Sequence, residues 1–187
     1  MTTEIKTTKI DQLVNQLQSE FGEEKIAPLL KASERWLERN AEGTDAEWAK
    51  AIILEAISFV AEDETYWTFV ASRIYLKEVY RHEELQRGHA AYENFAKHVE
   101  NLVAEGLYAS FLTEKYSQEE LEQLGKLIEP ERDKLFTYIG LKTFMDRYVA
   151  VDYSKKPVEL PQERWLVIAM TLMQDETENR LEKIAES

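Results

Sequence analysis

Apolar residues recur at helical spacing along most of the chain, and this pattern constrains the fold more than any other feature. In the first segment, Ile10, Leu13, Val14 and Leu17 follow an i, i+3, i+4, i+7 order, which places them on one helical face. Glycines and prolines, which interrupt helices, number only six and four among 187 residues. We therefore predict an all-α fold, a multi-helix orthogonal bundle.

Capping residues and helix-breaking glycines set the predicted helix boundaries. Thr44 with Glu47, and Ser117 with Glu120, form two capping boxes. One β-prone stretch allows at most one small β-hairpin near residues 149–160. The predicted helices are Lys9–Phe21, Ala27–Arg39, Thr44–Ala61, Thr65–Leu85, Tyr92–Val103, Ser117–Leu127, Pro130–Tyr148, Trp165–Met173 and Glu176–Ser187.

The charge of the chain restricts its partners. Asp and Glu number 36 against 23 Lys and Arg, which gives a formal net charge of -13. Phosphate polyanions and anionic membranes require a basic face, so we expect no nucleic-acid and no membrane partner. The apolar runs are far shorter than the ~18 residues of a membrane span, and the start of the chain lacks the apolar core of a secretion signal. We expect a cytoplasmic protein.

Missing residue types and motifs exclude several kinds of chemistry. The chain has no cysteine, which removes disulfides, thiolate metal sites, thiol nucleophiles and thiyl radicals. It lacks the G-x-G-x-x-G, P-loop, G-x-S-x-G and H-E-x-x-H motifs. A di-iron helical bundle needs Glu-x-x-His twice, but the residues three before His82, His89 and His98 are Val79, Gln86 and Phe95. We therefore predict no catalytic, cofactor-binding or metal-binding residue in this chain.

Most other polar and aromatic residues have ordinary structural interpretations. His82 with Glu78, and His89 with Glu93, are interpreted as solvated pairs on helix surfaces. The four tryptophans lie among aliphatic residues at helical spacing, so we expect core packing for Trp36, Trp48, Trp67 and Trp165.

The run from Pro130 to Lys142, followed by Asp146-Arg147-Tyr148, stands out from the rest of the chain. An arginine beside an aspartate at a helix start can bind neighbouring segments through charge-assisted hydrogen bonds. No second catalytic group lies nearby in sequence, so we interpret the run as a structural clamp rather than an acid–base pair. The clamp candidates are Arg132, Asp133, Tyr138, Asp146, Arg147 and Tyr148.

Several short motifs around this run occur in an order known from one family. They are Ala71-x-Arg73-x-x-Leu76, Gly106-x-Tyr108, Tyr116-Ser117-x-Glu119-Glu120, Pro130-x-Arg132-Asp133-x-x-Phe136-x-Tyr138, Gly140-x-Lys142, Arg147-Tyr148 and Glu159-Leu160-Pro161-Gln162. With them the chain resembles the N-terminal helical region of class I ribonucleotide reductase large subunits. The resemblance covers about residues 55 to 187.

The resemblance implies a role in deoxyribonucleotide synthesis for the parent enzyme, an oxidoreductase that reduces ribonucleoside diphosphates by radical chemistry. That chemistry takes place in a ten-stranded barrel with a radical cysteine, and this chain has neither. We therefore expect a non-catalytic helical portion that packs against the barrel, with the rest of the large subunit and the small radical-generating subunit as partners. Residues 63–187 would be the reductase-type helical domain, and residues 1–62 a degenerate or replaced ATP-cone.

Two alternatives stay open. A degenerate effector site for ATP or dATP in residues 1–105 would give a regulatory role, although Ile5–Lys9 lacks the Arg-Asp-Gly hairpin of the ATP-cone. A free-standing acidic helical adaptor, which is a protein-interaction module, would be a monomer without an exposed apolar patch. A large exposed patch on the last helices would instead indicate a missing partner surface.

Overall fold

Helices make up most of the computed structural model, which describes the backbone of residues 2–186 and the side chains of residues 10–186. The predicted all-α class is confirmed. Ser187, the last residue of the predicted tail helix, lies outside the described residues. Within them, no helix is both long and apolar enough to cross a membrane. The α-helices are α1 (Thr2–Phe21), α2 (Glu23–Arg39), α3 (Asp45–Ser58), α4 (Trp67–Arg87), α5 (Phe95–Ala104), α6 (Phe111–Glu114), α7 (Gln118–Gly125), α8 (Tyr138–Arg147), α9 (Pro161–Leu172) and α10 (Arg180–Glu186).

Both predicted capping boxes are confirmed. The Thr44 hydroxyl accepts the Glu47 N–H at 3.2 Å, and the Glu47 carboxylate accepts the Thr44 N–H at 2.8 Å. Ser117 and Glu120 repeat this exchange at 3.2 and 2.8 Å. These bonds satisfy backbone donors that the first turn of a helix leaves without partners, which fixes the start of α3 and of α7.

The predicted helix from Pro130 to Tyr148 is wrong. A 3-10 helix covers Pro130–Leu135, and α8 begins only at Tyr138. Thr137 starts this second helix, because its hydroxyl accepts the Gly140 N–H at 3.1 Å and its carbonyl accepts the Leu141 N–H at 2.9 Å. A threonine that caps a new helix cannot lie inside a continuous one, so the local capping bond overrides the apolar spacing.

The β-prone stretch forms a tight turn and no regular strand within residues 2–186. Its antiparallel pairing is a single bridge between Val151 and Pro157. The Asp152 carboxylate accepts the N–H groups of Ser154 and Lys156, each at 2.8 Å. Backbone bonds flank this bridge on both sides, from the Asp152 N–H to the Lys156 carbonyl at 2.8 Å and from the Val158 N–H to the Ala150 carbonyl at 3.0 Å. The prediction of at most one small hairpin is consistent with this turn.

The chain forms two compact units, and each has its own apolar core. The first unit contains residues up to 79 together with 134–142, and the second contains residues 80–133 together with those from 143 onward. The predicted boundary at residue 62 stays a prediction. The core of the first unit includes Leu17, Ile26, Leu29, Trp48, Ile52, Ala56, Trp67, Val70 and Ile74. The core of the second includes Phe95, Val99, Leu102, Leu112, Tyr116, Leu121, Leu124, Val167 and Met170.

The tryptophans do not all lie in a core as predicted. Trp48 and Trp67 are buried, and Trp36 is partly buried against the first core. The prediction for Trp165 is wrong, since 52% of this residue is exposed. The reason is that α9 carries apolar side chains on more than one side, and the core of the second unit covers only one of them.

Candidate functional site

Residues Val158–Glu163, which we call the clasp segment, join many buried polar contacts of the second unit. Pro161 begins α9, and the Glu163 carboxylate accepts the Leu160 N–H at 2.7 Å in the first turn. Glu159 and Glu163 are both fully buried. Because a buried carboxylate is costly unless it is paired, the partners of these two groups define the site.

Arg87, at the end of α4, forms a bidentate ion pair with the Glu163 carboxylate. Its Nη1 and Nη2 donate to the two Glu163 oxygens at 2.6 and 2.8 Å, and Nη2 also donates to the Val158 carbonyl at 3.1 Å. Its Nε donates to Glu83 at 3.0 Å. Gly88 follows with a φ of +75°, a left-handed conformation that favours glycine and ends the helix directly after Arg87.

The Glu83 and Arg87 side chains are buried together, at 2% and 7% exposure. Burial raises the pKa of the Glu83 carboxyl, and the Arg87 charge opposes that shift. Burial alone would lower the pKa of Arg87, but the hydrogen bonds and charges of Glu163 and Glu83 outweigh it and hold that pKa above its ordinary value. One guanidinium therefore compensates two buried carboxylates.

His98, on α5, makes a second contact with the clasp segment. Its Nε2 donates to the Val158 carbonyl at 2.8 Å, and the same nitrogen lies 3.8 Å from Glu163. Burial lowers the pKa of the imidazole to about 4. The ring is therefore neutral at pH 7 and acts as a hydrogen-bond donor rather than as a cation.

Glu159 connects the clasp segment to the turn that precedes it. Its two oxygens accept the Tyr108 hydroxyl and the Ala150 N–H, the latter at 2.5 Å. Arg164 lies 3.5 Å from the first of these oxygens. Burial raises the pKa of Glu159, while the bonds from Ala150 and Tyr108 pull it back towards its usual range.

Asp133, in the 3-10 helix, forms a third centre of contacts and is 1% exposed. One carboxylate oxygen accepts the hydroxyls of Tyr80 and Tyr92, each at 2.5 Å. The other oxygen accepts the Gln162 amide at 3.0 Å. Gln162 also exchanges two bonds with the Glu129 backbone, at 2.9 and 2.8 Å. The clasp segment is thus tied to the loop before the 3-10 helix.

The buried polar groups of these three centres have structural roles, because their hydrogen bonds join separate segments of the second unit. Glu163, Glu159 and Asp133 each accept at least two hydrogen bonds from protein donors, so these carboxylates are occupied by structural contacts. Burial raises the pKa of Asp133. The pKa values of Tyr80 and Tyr92 are also raised, mainly by burial and secondly by the negative charge of Asp133. Among the described residues, no group of three or more histidines and carboxylates is placed to hold a metal ion.

The predicted clamp residues lie in different environments. Asp133 is buried as described, whereas the Arg132 side chain is 66% exposed and its Nε lies 3.1 Å from Glu129. Tyr138, in the first unit, packs edge-on against Tyr75 with ring centres 5.7 Å apart. Like Arg132, the three residues Asp146, Arg147 and Tyr148 are exposed. The clamp assignment of the six residues stays a prediction.

Sequence reasoning missed Glu163 of the clasp segment and most of the residues around the segment, namely Tyr80, Glu83, Arg87, Tyr92, His98 and Tyr108. For Glu163 a signal existed, since it stands three residues after Leu160 at the start of an apolar helix, which is the position of a capping carboxylate. Arg87 immediately before Gly88 resembles any basic residue at a helix end. Its burial depends on contacts up to 76 residues away, which no local pattern encodes.

Comparisons with known proteins show what this chain is similar to. Residues 134–187 match the family model for the all-alpha domain of ribonucleotide reductase. A ribonucleoside-diphosphate reductase subunit alpha from Helicobacter pylori (strain J99) is 37% identical over 142 residues, which is 76% of this chain and 17% of that relative. Subunits of the same name from Enterobacteria phage T4 and Treponema pallidum are 31% and 30% identical, over 71% and 70% of this chain.

These matches identify the chain as related to a helical domain of a reductase subunit. More closely, it is related to the N-terminal helical region of ribonucleotide reductase large subunits, as its ordered motifs indicated. The match covers 17% of the length of the Helicobacter pylori relative and 16% of the Treponema pallidum one. The Glu159-Leu160-Pro161-Gln162 motif now has a physical role, since it forms most of the clasp segment.

Proposed function

We propose that this chain is a non-catalytic helical portion of a ribonucleoside-diphosphate reductase large subunit and packs against the catalytic part of that subunit. The parent enzyme would make deoxyribonucleotides in the cytoplasm, together with a small radical-generating subunit. The observation that carries the proposal is the similarity to reductase alpha subunits over 76% of the chain.

The geometry supports a scaffolding role within that enzyme. The buried carboxylates of the second unit are engaged by protein donors, and the chain has no cysteine for radical or redox chemistry. Buried polar groups that hydrogen-bond to one another make a domain rigid, and a supporting domain requires a rigid surface. The ATP or dATP hypothesis for residues 1–105 stays a prediction, which calorimetric titration with both nucleotides would test.

The native product in the source cells tests the proposal. An antiserum raised against the chain should detect either a polypeptide several times larger than 21.9 kDa or a 21.9 kDa chain that purifies with a reductase polypeptide. The purified native product should reduce ribonucleoside diphosphates when small subunit is added, and the 187-residue chain alone should not. A free 21.9 kDa monomer without any reductase polypeptide would refute the proposal.

A further inference from the structure

α9 has apolar side chains on two opposite sides, which is unusual for a helix at a protein surface. The inner side packs into the core of the second unit through Leu166, Val167 and Met170. The outer side presents Trp165, Ile168 and Leu172, which follow i, i+3, i+7 spacing and therefore share one stripe. Trp165 is 52% exposed and Leu172 is 72% exposed.

Aromatic rings extend this stripe onto α8. The Phe144 ring is buried and lies 5.2 Å from the Trp165 ring and 5.8 Å from the Tyr148 ring, measured between ring centres. Tyr148 is itself 58% exposed. We call Tyr148, Trp165, Ile168 and Leu172 the outer face. Trp and Tyr, together with Arg, are enriched among the residues that dominate binding at protein interfaces.

Exposed large apolar side chains are concentrated in the part of the chain that matches the reductase family model. Residues 134–187, under a third of the chain, hold Leu135, Ile139, Tyr148, Val151, Tyr153, Trp165 and Leu172. The remaining described residues hold Leu37, Leu54, Val60, Leu85 and Leu127. Single exposed apolar residues are ordinary, but a contiguous set of rings and leucines marks an interaction surface.

We propose that the outer face contacts the rest of a ribonucleotide reductase large subunit. By this we mean the part of such a subunit to which the present chain is not similar. This inference rests on the proposed function. The relatives suggest the occupant, because the matched stretch is only 17% of the Helicobacter pylori subunit, which leaves most of such a polypeptide available to cover the outer face.

The size of the outer face favours this occupant over a second copy of the chain. Four side chains cover much less than the ~800 Å² per partner that a stable interface between separate molecules buries. A contact within one polypeptide, or within a tightly held complex, needs less area, since the two surfaces are already at high effective concentration.

Photo-crosslinking in the cells that make the protein tests this assignment. The photoreactive amino acid p-benzoylphenylalanine replaces Trp165 in one variant and Leu54 in the matched control. Leu54 is 60% exposed on α3 and lies in the first unit, outside the family-model match. Mass spectrometry of the crosslinked peptides identifies the partner. We expect position 165 to crosslink to reductase large-subunit sequence from outside the matched region, and position 54 to give none of these products.

A second substitution checks that the face itself makes the contact. Leu172→Glu should lower the crosslink yield from position 165 at least about tenfold, whereas Leu54→Glu should change it less than about twofold. Both leucines are exposed on helices, so circular dichroism should show unchanged folding for both variants.

Each other outcome overturns the assignment in a distinguishable way. Crosslinks to reductase from position 54 but not from 165, in equal yield from both, or from neither position, would refute the outer face and leave the proposed function standing. Crosslinks from 165 to a second copy of this chain would refute the occupant. A failure of the native product to contain any reductase polypeptide would remove both the assignment and the proposed function.

Discussion

Replacement of Arg87 by methionine should destabilise the second unit strongly. The arginine side chain is 7% exposed and donates to Glu83, to both oxygens of Glu163 and to the Val158 carbonyl. Methionine keeps much of the volume but leaves two buried carboxylates without a cation. Breaking a buried ion pair by removal of one partner costs about 3–5 kcal/mol. We expect a loss of this size in the free energy of unfolding at pH 7, measured by urea denaturation followed by circular dichroism.

The loss should become smaller as the pH falls. Burial already raises the folded-state pKa of Glu83, and Arg87 is the group that opposes the shift, so the variant should raise this pKa further. A carboxyl whose folded pKa lies above its unfolded value of ~4.3 adds stability below that value and loses it as the pH rises through the folded pKa. The difference between the two proteins should therefore shrink between pH 7 and about pH 4.5.

Two controls separate this effect from a general loss of charge. Arg132→Met removes an exposed arginine whose partner Glu129 is 62% exposed, and it should cost at most about 1 kcal/mol. Adding Glu83→Gln and Glu163→Gln to the Arg87 variant should restore part of the stability, because neutral amides need no buried counter-charge. If Arg87→Met costs no more than Arg132→Met and shows the same pH dependence as the unmodified chain, the role assigned to Arg87 is refuted.

Three further contacts give measurable predictions. Asp133→Ala should lower the free energy of unfolding by about 2–4 kcal/mol in urea denaturation, because two tyrosine hydroxyls and an amide lose their acceptor, and Asp133→Asn should lose less. The His98 imidazole should titrate with a pKa of about 4 by NMR. Its contribution to stability should fall as the pH falls from ~6.5 towards that value, since only the unfolded chain then binds the proton. Ser117→Ala should cost about 1 kcal/mol in thermal unfolding, and Ser110→Ala, which removes no capping bond, should cost less.

The helices and their caps could be predicted from the sequence because the interactions that fix them are local. The Thr44 and Ser117 boxes each join residues three apart, and the apolar stripe of α1 lies within a few turns. The prediction of one continuous helix through Thr137 is wrong, although the interaction that ends it is also local. The Thr137 hydroxyl caps a new helix, a signal that apolar spacing does not contain.

The clasp segment could not be assembled from the sequence, because its contacts join residues that are far apart in the chain. Glu163 meets a guanidinium 76 residues before it, and Asp133 meets two tyrosines 53 and 41 residues before it. The helix-start position beside an arginine predicts a clamp role for Asp133, which is buried. The same reasoning predicts this role for the adjacent Arg132, which is exposed. Local sequence patterns identify charged residues but do not show which of them a fold will bury.

Trp165 shows what apolar periodicity can and cannot establish. Spacing indicates which side chains avoid water, but it does not indicate whether this chain or another polypeptide covers them. On α9 the inner stripe is covered by the second unit, and the outer stripe with Trp165 and Leu172 remains exposed. A free-standing adaptor would gain nothing from keeping an indole and a leucine in water on the same helix face, and such a surface promotes aggregation. This exposed face is the observation from which we propose a contact with more reductase polypeptide.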